Sequence, residues 1–261
     1  MQKDFITVTP DSGNGNGTVT VAASENTGNS RTSSITISGG GITKTIEINQ
    51  SKFDGYLPNE APKGVYIMNI NKRLFPKESW DTSKNADVSG IAVKTDRGLY
   101  CIAKKEFYRT VKWGDKVLVP NCFTSTDKVE AKGDYNGEKN TQAIIAQFGS
   151  QNFAAKVCQD YEFPHGSHGY LPSVGEWCDV LQNGDVKKID ECLILIGGNT
   201  MFDYDVSDNY KWSSSQYDKN NAWCVDIIER DKGRINPLDR EKTLQYPNSN
   251  ILGTRPFCKI E

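Results

Sequence analysis

The chain has 261 residues, 36% of them hydrophobic and 10% aromatic, which is enough for one large or two modest folded domains and excludes a disordered protein. Its net charge is −2 and no stretch concentrates Lys and Arg, so no phosphate-neutralising face is predicted and nucleic acid is a poor partner. No run of about 18 apolar residues occurs, so we expect no membrane span. The first residues lack the apolar core of a signal peptide, which leaves either an intracellular chain or one whose targeting segment is not in this sequence.

Residues 1–52 are dense in Thr, Ser, Asn and Gly and contain no Cys, Trp or Tyr. Apolar and polar residues alternate with a period of two in four segments, as in half-buried strands: residues 6–9, 18–21, 35–38 and 42–48. Glycine-rich breaks at 12–17 and 39–41 supply the positive φ angles of tight hairpins. The pattern predicts a β meander of four short strands.

The segments "ITVTPDSGNGNGTVTV", "NTGNSRTSSITISGGG" and "TKTIEINQS" resemble the second half of a BACON domain, the Bacteroidetes-associated immunoglobulin-like module. The resemblance implies a small β-sandwich-like module, incomplete unless the natural protein extends upstream. The family name suggests carbohydrate binding, but the only aromatic residue before residue 53 is Phe5. We interpret residues 1–52 as a spacer, with carbohydrate binding as the alternative.

Residues 53–63 have the Gly and Pro content of a linker, and a second domain is predicted over 64–261. Residues 64–75, "GVYIMNINKRLF", are predicted to form a strand, and a hairpin of residues 91–94 and 99–103 follows around the turn Asp96-Arg97-Gly98. Beyond this hairpin, residues 140–161 carry apolar side chains at helical spacing, broken at Gly149, with Asn140 as the expected N-cap.

The segment "LPSVGEWCDVLQNG" predicts a short helix, because Ser173 and Glu176 form a capping box and Asn183-Gly184 supplies the stop. Its apolar stripe, Trp177 with Val180 or Leu181, is predicted to be core. A further helix is expected from Val186 to Ile196 before Gly197-Gly198. Short strands and long polar loops should follow.

Four segments carry a second resemblance: "GEKNTQAIIAQ", "HGYLPSVGEWCDVL", "YKWSSSQYDKNNAWCVDI" and "GTRPFCKIE". They are similar to successive motifs of bacterial C-type-lectin-like families, the Lcl C-terminal domain and the Fibrobacter major paralogous domain. The resemblance implies an α+β fold in which two or three helices flank a twisted antiparallel sheet. It also implies that the loops between "WSSS" and "RPF" bind ligand. Arg255 and Phe257 would close the last strand against the first strand of the domain.

Seven cysteines lie after residue 100 and none forms a C-x-x-C pair. Their odd number fits either a partly oxidised extracellular domain or a reduced protein with buried thiols. The lectin-like resemblance implies a disulfide between Cys158 and Cys258, and the alternative is that both are reduced.

Several candidate sites have a simple structural explanation. His165 and His168 form H-G-S-H but lack further ligands nearby in sequence, so a polar turn is expected rather than zinc. The Trp-Asn-Asp motif of calcium-dependent lectins is absent, since the corresponding strand has Trp223 to Asp226. Serines 213–215 lack the G-x-S-x-G elbow of a catalytic nucleophile. The remaining alternative to a solvated acidic loop is a calcium site made of Asp203, Asp205, Asp208 and Asn209. No cofactor is expected.

Residues 216–250 combine aromatic and amide side chains, which are typical of recognition loops. Trp223 is predicted to face the core, and a solvated connection is the alternative for the whole stretch. The predicted ligand-binding residues are Tyr217, Asp218, Asn220, Asn221, Arg234, Asn236, Tyr246, Asn248 and Asn250.

These observations predict a non-catalytic binding protein, exposed on a cell surface or a phage virion, that recognises a glycan or protein on another cell or surface. One variant is a receptor binder diversified by a retroelement, since such proteins often have this fold. The alternatives are a structural pilus or surface-assembly component and, because the fold is shared, an enzyme of the formylglycine-generating type.

Overall fold

The structure is a computed structural model that describes residues 2–108, 111–202, 209–227, 232–241 and 251–261. The chain divides into two compact units, Met1–Gly55 and Tyr56–Glu261. The secondary structure is mixed and β-rich, as the α+β prediction requires. Residues 56–63, predicted as linker, lie in the second unit, where Tyr56 pairs with Leu74 and Ala61 is buried.

The first unit is built of two small antiparallel sheets rather than a single meander. The four predicted strands are confirmed, with a short additional strand at the start. The strands are β1 Gln2–Lys3, β2 Ile6–Thr9, β3 Thr20–Ala23, β4 Arg31–Gly39 and β5 Ile42–Gln50. Strands β1 to β3 form one sheet and β4 and β5 the other, because no strand pairing joins β3 to β4 among the described residues.

The hairpin of β4 and β5 has a two-residue turn, Gly40-Gly41, with Gly39 opposite Ile42. Both turn residues have positive φ angles, 57° and 79°, as a type I′ turn requires. The prediction of a glycine-dependent tight turn at residues 39–41 is confirmed.

In the part of the second unit that the structure describes there are two five-stranded sheets, with strand orders β15-β9-β8-β6-β7 and β10-β14-β11-β12-β13. The first sheet is antiparallel; in the second, β11 and β14 run parallel. The strands are β6 Gly64–Asn69, β7 Leu74–Phe75, β8 Val88–Lys94, β9 Leu99–Ile102, β10 Phe107–Tyr108, β11 Asn209–Gln216, β12 Asn221–Ile227, β13 Lys232–Asp239, β14 Ile251–Thr254 and β15 Phe257–Ile260.

Among the described residues, five α-helices lie between β10 and β11 along the chain. They are α1 Lys128–Lys132, α2 Gly137–Phe148, α3 Ala154–Asp160, α4 Val174–Gly184 and α5 Val186–Leu195. The capping box of Ser173 and Glu176 at the start of α4 is confirmed. Helix α2 begins at Gly137, so Asn140 is not its N-cap; its buried side chain donates to Asp134 Oδ2 over 2.7 Å.

Two core clusters of the second unit meet at strand β12, one on each face. Trp223, Val225 and Ile227 join the cluster around Trp177 and helices α4 and α5. Ala222 and Cys224 join a second cluster, which contains Trp113 and Phe148. The alternation of a strand places successive side chains on opposite faces, so β12 is a central strand buried on both sides.

Two expectations about the end of the chain are wrong. Much of residues 216–250 forms the regular hairpin of β12 and β13 rather than a long loop, because Asn221 to Ile227 pair with Lys232 to Asp239. The last strand pairs with β9, with Phe257 opposite Ile102, and not with the first strand of the unit. Arg255 and Phe257 are fully buried, in keeping with a structural role.

The predicted disulfide between Cys158 and Cys258 is absent, and all seven cysteines are buried thiols. Cys158 lies in the cluster that contains Trp113, whereas Cys258 lies in a third cluster with Tyr66 and Phe163. The register of β15 places Cys101 opposite Cys258 instead. Cys158 is not the cross-strand neighbour of Cys258, and the sequence separation alone could not show this.

Candidate functional site

The predicted ligand-binding residues separate into two groups along the hairpin of β12 and β13. Tyr217, Asp218, Asn220 and Asn221 lie at the turn between β11 and β12. Arg234 and Asn236 lie on β13, where Arg234 pairs with Asp226, five residues along β12 from Asn221. Five strand residues span roughly 17 Å. Tyr246, Asn248 and Asn250 lie outside the described residues.

The turn is held by its own aspartate. Asp218 Oδ1 accepts hydrogen bonds from the backbone N–H groups of Asn220 and Asn221, each over 2.7 Å. The Asn221 amide also donates to Asp218. Such an Asx arrangement fixes a turn locally. Asp218 and Asn221 therefore shape the turn, whereas Asn220 is exposed beside them.

A buried arginine anchors this turn from below. Arg240 is fully buried and donates to Asn221 O over 3.2 Å, to Gln216 Oε1 over 2.6 Å, and to Asp218 O and Val117 O. Its guanidinium lies 4.4 Å from the centre of the Trp113 ring. Burial lowers the Arg240 pKa to about 10, so the side chain still carries its charge near neutral pH.

Gln216 joins a second loop, residues 115–125, to the same turn. Its side-chain amide donates to Val119 O over 2.9 Å and its Oε1 accepts from Val119 N over 2.9 Å. Its backbone N–H donates to Phe123 O over 2.9 Å. Arg240 and Gln216 together fix the backbones of both loops at one end of the sheet.

Four side chains on these two loops define what we term the turn surface: Val117, Leu118, Tyr217 and Asn220. Val117 and Leu118 are aliphatic and yet 39% and 53% exposed. Tyr217 is half-buried and packs edge to face on Trp223, with ring centres 4.9 Å apart. The turn surface thus combines aliphatic, aromatic and amide groups on a fixed backbone.

Trp223 faces the core, as predicted, and Tyr217 of the turn surface packs on it. Trp223 is fully buried, and its Nε1 donates to Ser125 O over 2.8 Å. Tyr217 therefore rests on a ring that is itself fixed by the second loop. Two aromatic rings packed edge to face contribute about 0.5–1.5 kcal/mol beyond the area they bury.

The second group centres on an ion pair. Asp226 is fully buried, and its Oδ2 accepts from Arg234 Nε over 2.8 Å and also from Arg234 Nη2. Asp226 Oδ1 is buried without a hydrogen-bond partner among the described residues. The Arg234 side chain is 44% exposed. The Arg234 guanidinium is therefore already bound within the protein. Asn236 is half-buried, and its backbone carbonyl accepts a hydrogen bond from the Cys224 thiol.

The structure also places the other candidate residues. Serines 213–215 are fully buried and bond to core groups, with Ser215 Oγ donating to Asp134 Oδ2 over 2.6 Å. Asn209 is buried in β11, and the three aspartates of the predicted acidic loop lie outside the described residues. In the part of the chain that the structure describes, no group of three or more His, Cys, Asp or Glu side chains could hold a metal ion.

Sequence reasoning missed residues 115–125 and Arg240. The available signal was the pair of aliphatic residues Val117 and Leu118 within a predicted loop. The sequence alone does not show that these two side chains are exposed. In the sequence, Arg240 is indistinguishable from a surface arginine. Its burial depends on contacts with Asn221 and Gln216, which are 19 and 24 residues away along the chain. Within the described ranges, no helix is both long and apolar enough to cross a membrane.

Comparison with known proteins identifies the first unit only. Residues 2–51 match the BACON family, described as "Putative binding domain, N-terminal", which confirms the resemblance of the N-terminal module. No curated protein and no solved structure matches the chain. The first unit is thus similar to a family that is described by binding, and the lectin-like assignment of the second unit gains no support from these comparisons.

Proposed function

We propose that this is a non-catalytic binding protein whose second unit recognises a glycan or protein on another cell or surface through the turn surface. The observation that carries the proposal is Arg240, whose guanidinium joins two loops that expose Val117, Leu118 and Asn220. Recognition by a fixed surface avoids the cost of ordering loops on binding. The BACON match is consistent with a binding role for the chain.

The turn surface also fits the side-chain chemistry of recognition. Interfaces are enriched in aromatic residues, and a rigid Tyr provides contact area at a small entropic cost. The Asn220 amide can donate and accept, which suits sugar hydroxyls or a peptide backbone. We further propose that residues 64–261 form a C-type-lectin-like domain exposed on a cell surface or virion. Its ligand contacts are then the predicted residues Tyr217 and Asn220 of this turn together with Val117 and Leu118 of the neighbouring loop, rather than the whole stretch 216–250.

The test uses the full chain on a glycan array and in pull-downs from surface-protein extracts, followed by titration of any ligand found. Leu118→Asp and Asn220→Ala should each weaken binding about tenfold or more if these residues are energetically important. Ile194→Asp is the matched control, because Ile194 is 65% exposed on helix α5, which packs on β6 and β8 of the other sheet. Circular dichroism confirms that each variant is folded.

The outcomes separate the alternatives. Equal binding by Leu118→Asp, Asn220→Ala and wild type would remove the turn surface from the proposal. Loss of binding in Arg234→Ala alone would transfer the site to β13. Absence of binding to every ligand favours a structural assembly component, and copper-dependent oxidation of a substrate thiol would indicate an enzyme. Comparing alleles for variation at residues 216–250 tests the diversified receptor binder.

A further inference from the structure

Two cysteines face each other across the last strand of the second unit. Cys258 on β15 is opposite Cys101 on β9, and both are buried. Ala103 N donates to Pro256 O over 3.0 Å, so that pair is hydrogen-bonded and, by alternation, so is the pair of Cys101 and Cys258. The Cα atoms of such a pair lie about 5.5 Å apart, within the range that a disulfide spans.

A histidine approaches one of the two thiols. His165 Nε2 lies 3.7 Å from Cys258 Sγ. The other ring nitrogen, Nδ1, is hydrogen-bonded to the hydroxyl of Ser89, which is fully buried on β8. A partner on one ring nitrogen fixes the orientation of an imidazole. His165 is half-buried in the loop that precedes Tyr170, whereas Cys258 and Cys101 are 3% and 0% exposed.

The two thiols differ in acidity. The hydrogen bond from Cys101, with further contributions from His165 and Lys72, lowers the Cys258 pKa to about 6 against the opposing effect of burial. Burial raises the Cys101 pKa well above its usual value. The other titratable groups near the pair are Tyr161 and Tyr170, whose pKa values burial raises. Cys258, whose sulfur lies beside His165, is therefore the more acidic thiol of the pair.

We propose that Cys258 and Cys101 form a reversible thiol–disulfide switch that is oxidised by peroxides, with Cys258 as the attacking sulfur and Cys101 as the resolving one. Reactive cysteines combine thiolate character with a nearby cationic or polar group, and sensors often have a second thiol within reach. The pair has both features, whereas burial raises the pKa values of Cys122 and Cys192 to about 12 and about 11.

The chemistry balances in two steps. The Cys258 thiolate attacks the terminal oxygen of a hydroperoxide, the O–O bond breaks, and the leaving alkoxide takes up the proton that the Cys258 thiol had released and departs as an alcohol. Cys258 is now a sulfenic acid. The Cys101 sulfur attacks the Cys258 sulfur, the S–O bond breaks, and the leaving hydroxide takes the Cys101 proton as water. Two thiols lose two electrons, and one peroxide becomes an alcohol and water.

The first experiment uses the unmodified full chain. The protein is treated with stoichiometric hydrogen peroxide at neutral pH, its remaining thiols are blocked, and a non-reducing digest is analysed by mass spectrometry. We expect one cross-linked peptide pair containing Cys101 and Cys258, lost on addition of a dithiol reductant, while Cys122, Cys158 and Cys192 stay alkylated. A disulfide between other cysteines, or none at all, overturns the proposal without any variant.

The second experiment assigns the roles. Cys101→Ser should leave a sulfenic acid on Cys258 that a dimedone-type reagent traps, whereas Cys258→Ser should leave Cys101 unmodified. His165→Gln should slow oxidation severalfold at pH 7 and move the pH midpoint of the rate upward from about 6. Cys192→Ser is the matched control and should oxidise like the wild type. An unchanged rate and midpoint in folded His165→Gln would remove His165 from the mechanism.

Discussion

The two units of the chain have similar strand patterns but very different interiors. In the first unit, Ile6 and Ser33 are the buried residues among those described, and Ile37 and Ile42 are 49% and 66% exposed on the hairpin of β4 and β5. In the second unit, Ile67 and Ile91 are fully buried within a cluster that extends across helices α4 and α5. The alternation of apolar and polar residues therefore defines which segments form strands. The apolar side chains of a strand are buried only where a second layer of structure packs on them.

The first unit is held together largely by polar contacts near its surface. Arg31 donates to Gln50 Oε1 and to Ser24 O, each over 2.7 Å, and its guanidinium lies 4.4 Å from the centre of the Phe5 ring. The second unit instead buries whole ion pairs. Arg255 Nη2 lies 2.5 Å from Glu106 Oε2, and Lys211 Nζ lies 2.5 Å from Glu106 Oε1, with all three side chains nearly inaccessible. Charged side chains therefore contribute differently to the stability of the two units, because those of the second unit are buried.

The largest expected effect comes from this buried ion cluster. Glu106→Ala leaves Arg255 and Lys211 buried without their carboxylate, and should destabilise the second unit by about 3–5 kcal/mol. Urea unfolding followed by tryptophan fluorescence measures this unit alone, because all five Trp residues lie after residue 55. The control is Lys63→Ala, whose pair with Asp96 is exposed and contributes at most about 1 kcal/mol. Equal losses in both variants would contradict the comparison.

A buried hydroxyl should matter more than an exposed one. Ser173 caps α4 and donates to Asp134 O over 2.7 Å in the core, so Ser173→Ala should cost the second unit about 1–2 kcal/mol. Thr32 in the first unit donates to Asn49 Oδ1 over 2.6 Å at the surface, and Thr32→Val should change stability by less than about 0.5 kcal/mol. Far-ultraviolet circular dichroism follows both units, and a larger loss in Thr32→Val would reverse the ranking.

The same substitution in a strand of each unit isolates the effect of burial. Ile91→Val on β8 removes a fully buried methylene and should cost about 0.5–1.5 kcal/mol. Ile42→Val on β5 removes one that is largely exposed, and its effect should stay within about 0.5 kcal/mol. Matched denaturant titrations of the two variants provide the measurement. If Ile42→Val costs as much as Ile91→Val, the β4 and β5 face is covered in solution.

The smallest effect concerns pH. Burial raises the Glu176 pKa above its ordinary value of 4.5, with hydrogen bonds from Ser173 opposing the shift. A carboxyl whose pKa is raised on folding stabilises the protein below its ordinary pKa, and this contribution is lost as pH rises through the raised value. Stability of Glu176→Gln relative to wild type should therefore increase between pH 4.5 and neutral pH. Exposed Glu138→Gln is the control, and a flat difference between Glu176→Gln and wild type would contradict the assignment.

Local signals predicted much of the secondary structure. The Ser173 and Glu176 capping box, the glycine turn at residues 39–41 and the hairpin around Asp96-Arg97-Gly98 are confirmed, because each depends on residues close in sequence. The buried position of Trp223 also followed from strand alternation. The candidate site was predicted in part, since the turn residues 217–221 were identified but not the loop beside them.

By itself, the sequence determined the strands of the first unit, the capped helix of the second and the absence of any dense basic face. Only the tertiary structure decided that residues 216–241 form mainly a hairpin, that Arg240 is buried beneath the turn surface, and that Cys101 rather than Cys158 is opposite Cys258. Turns and caps are fixed by energies within a few residues. Strand order and cross-strand neighbours depend on which distant segments bury each other's apolar faces.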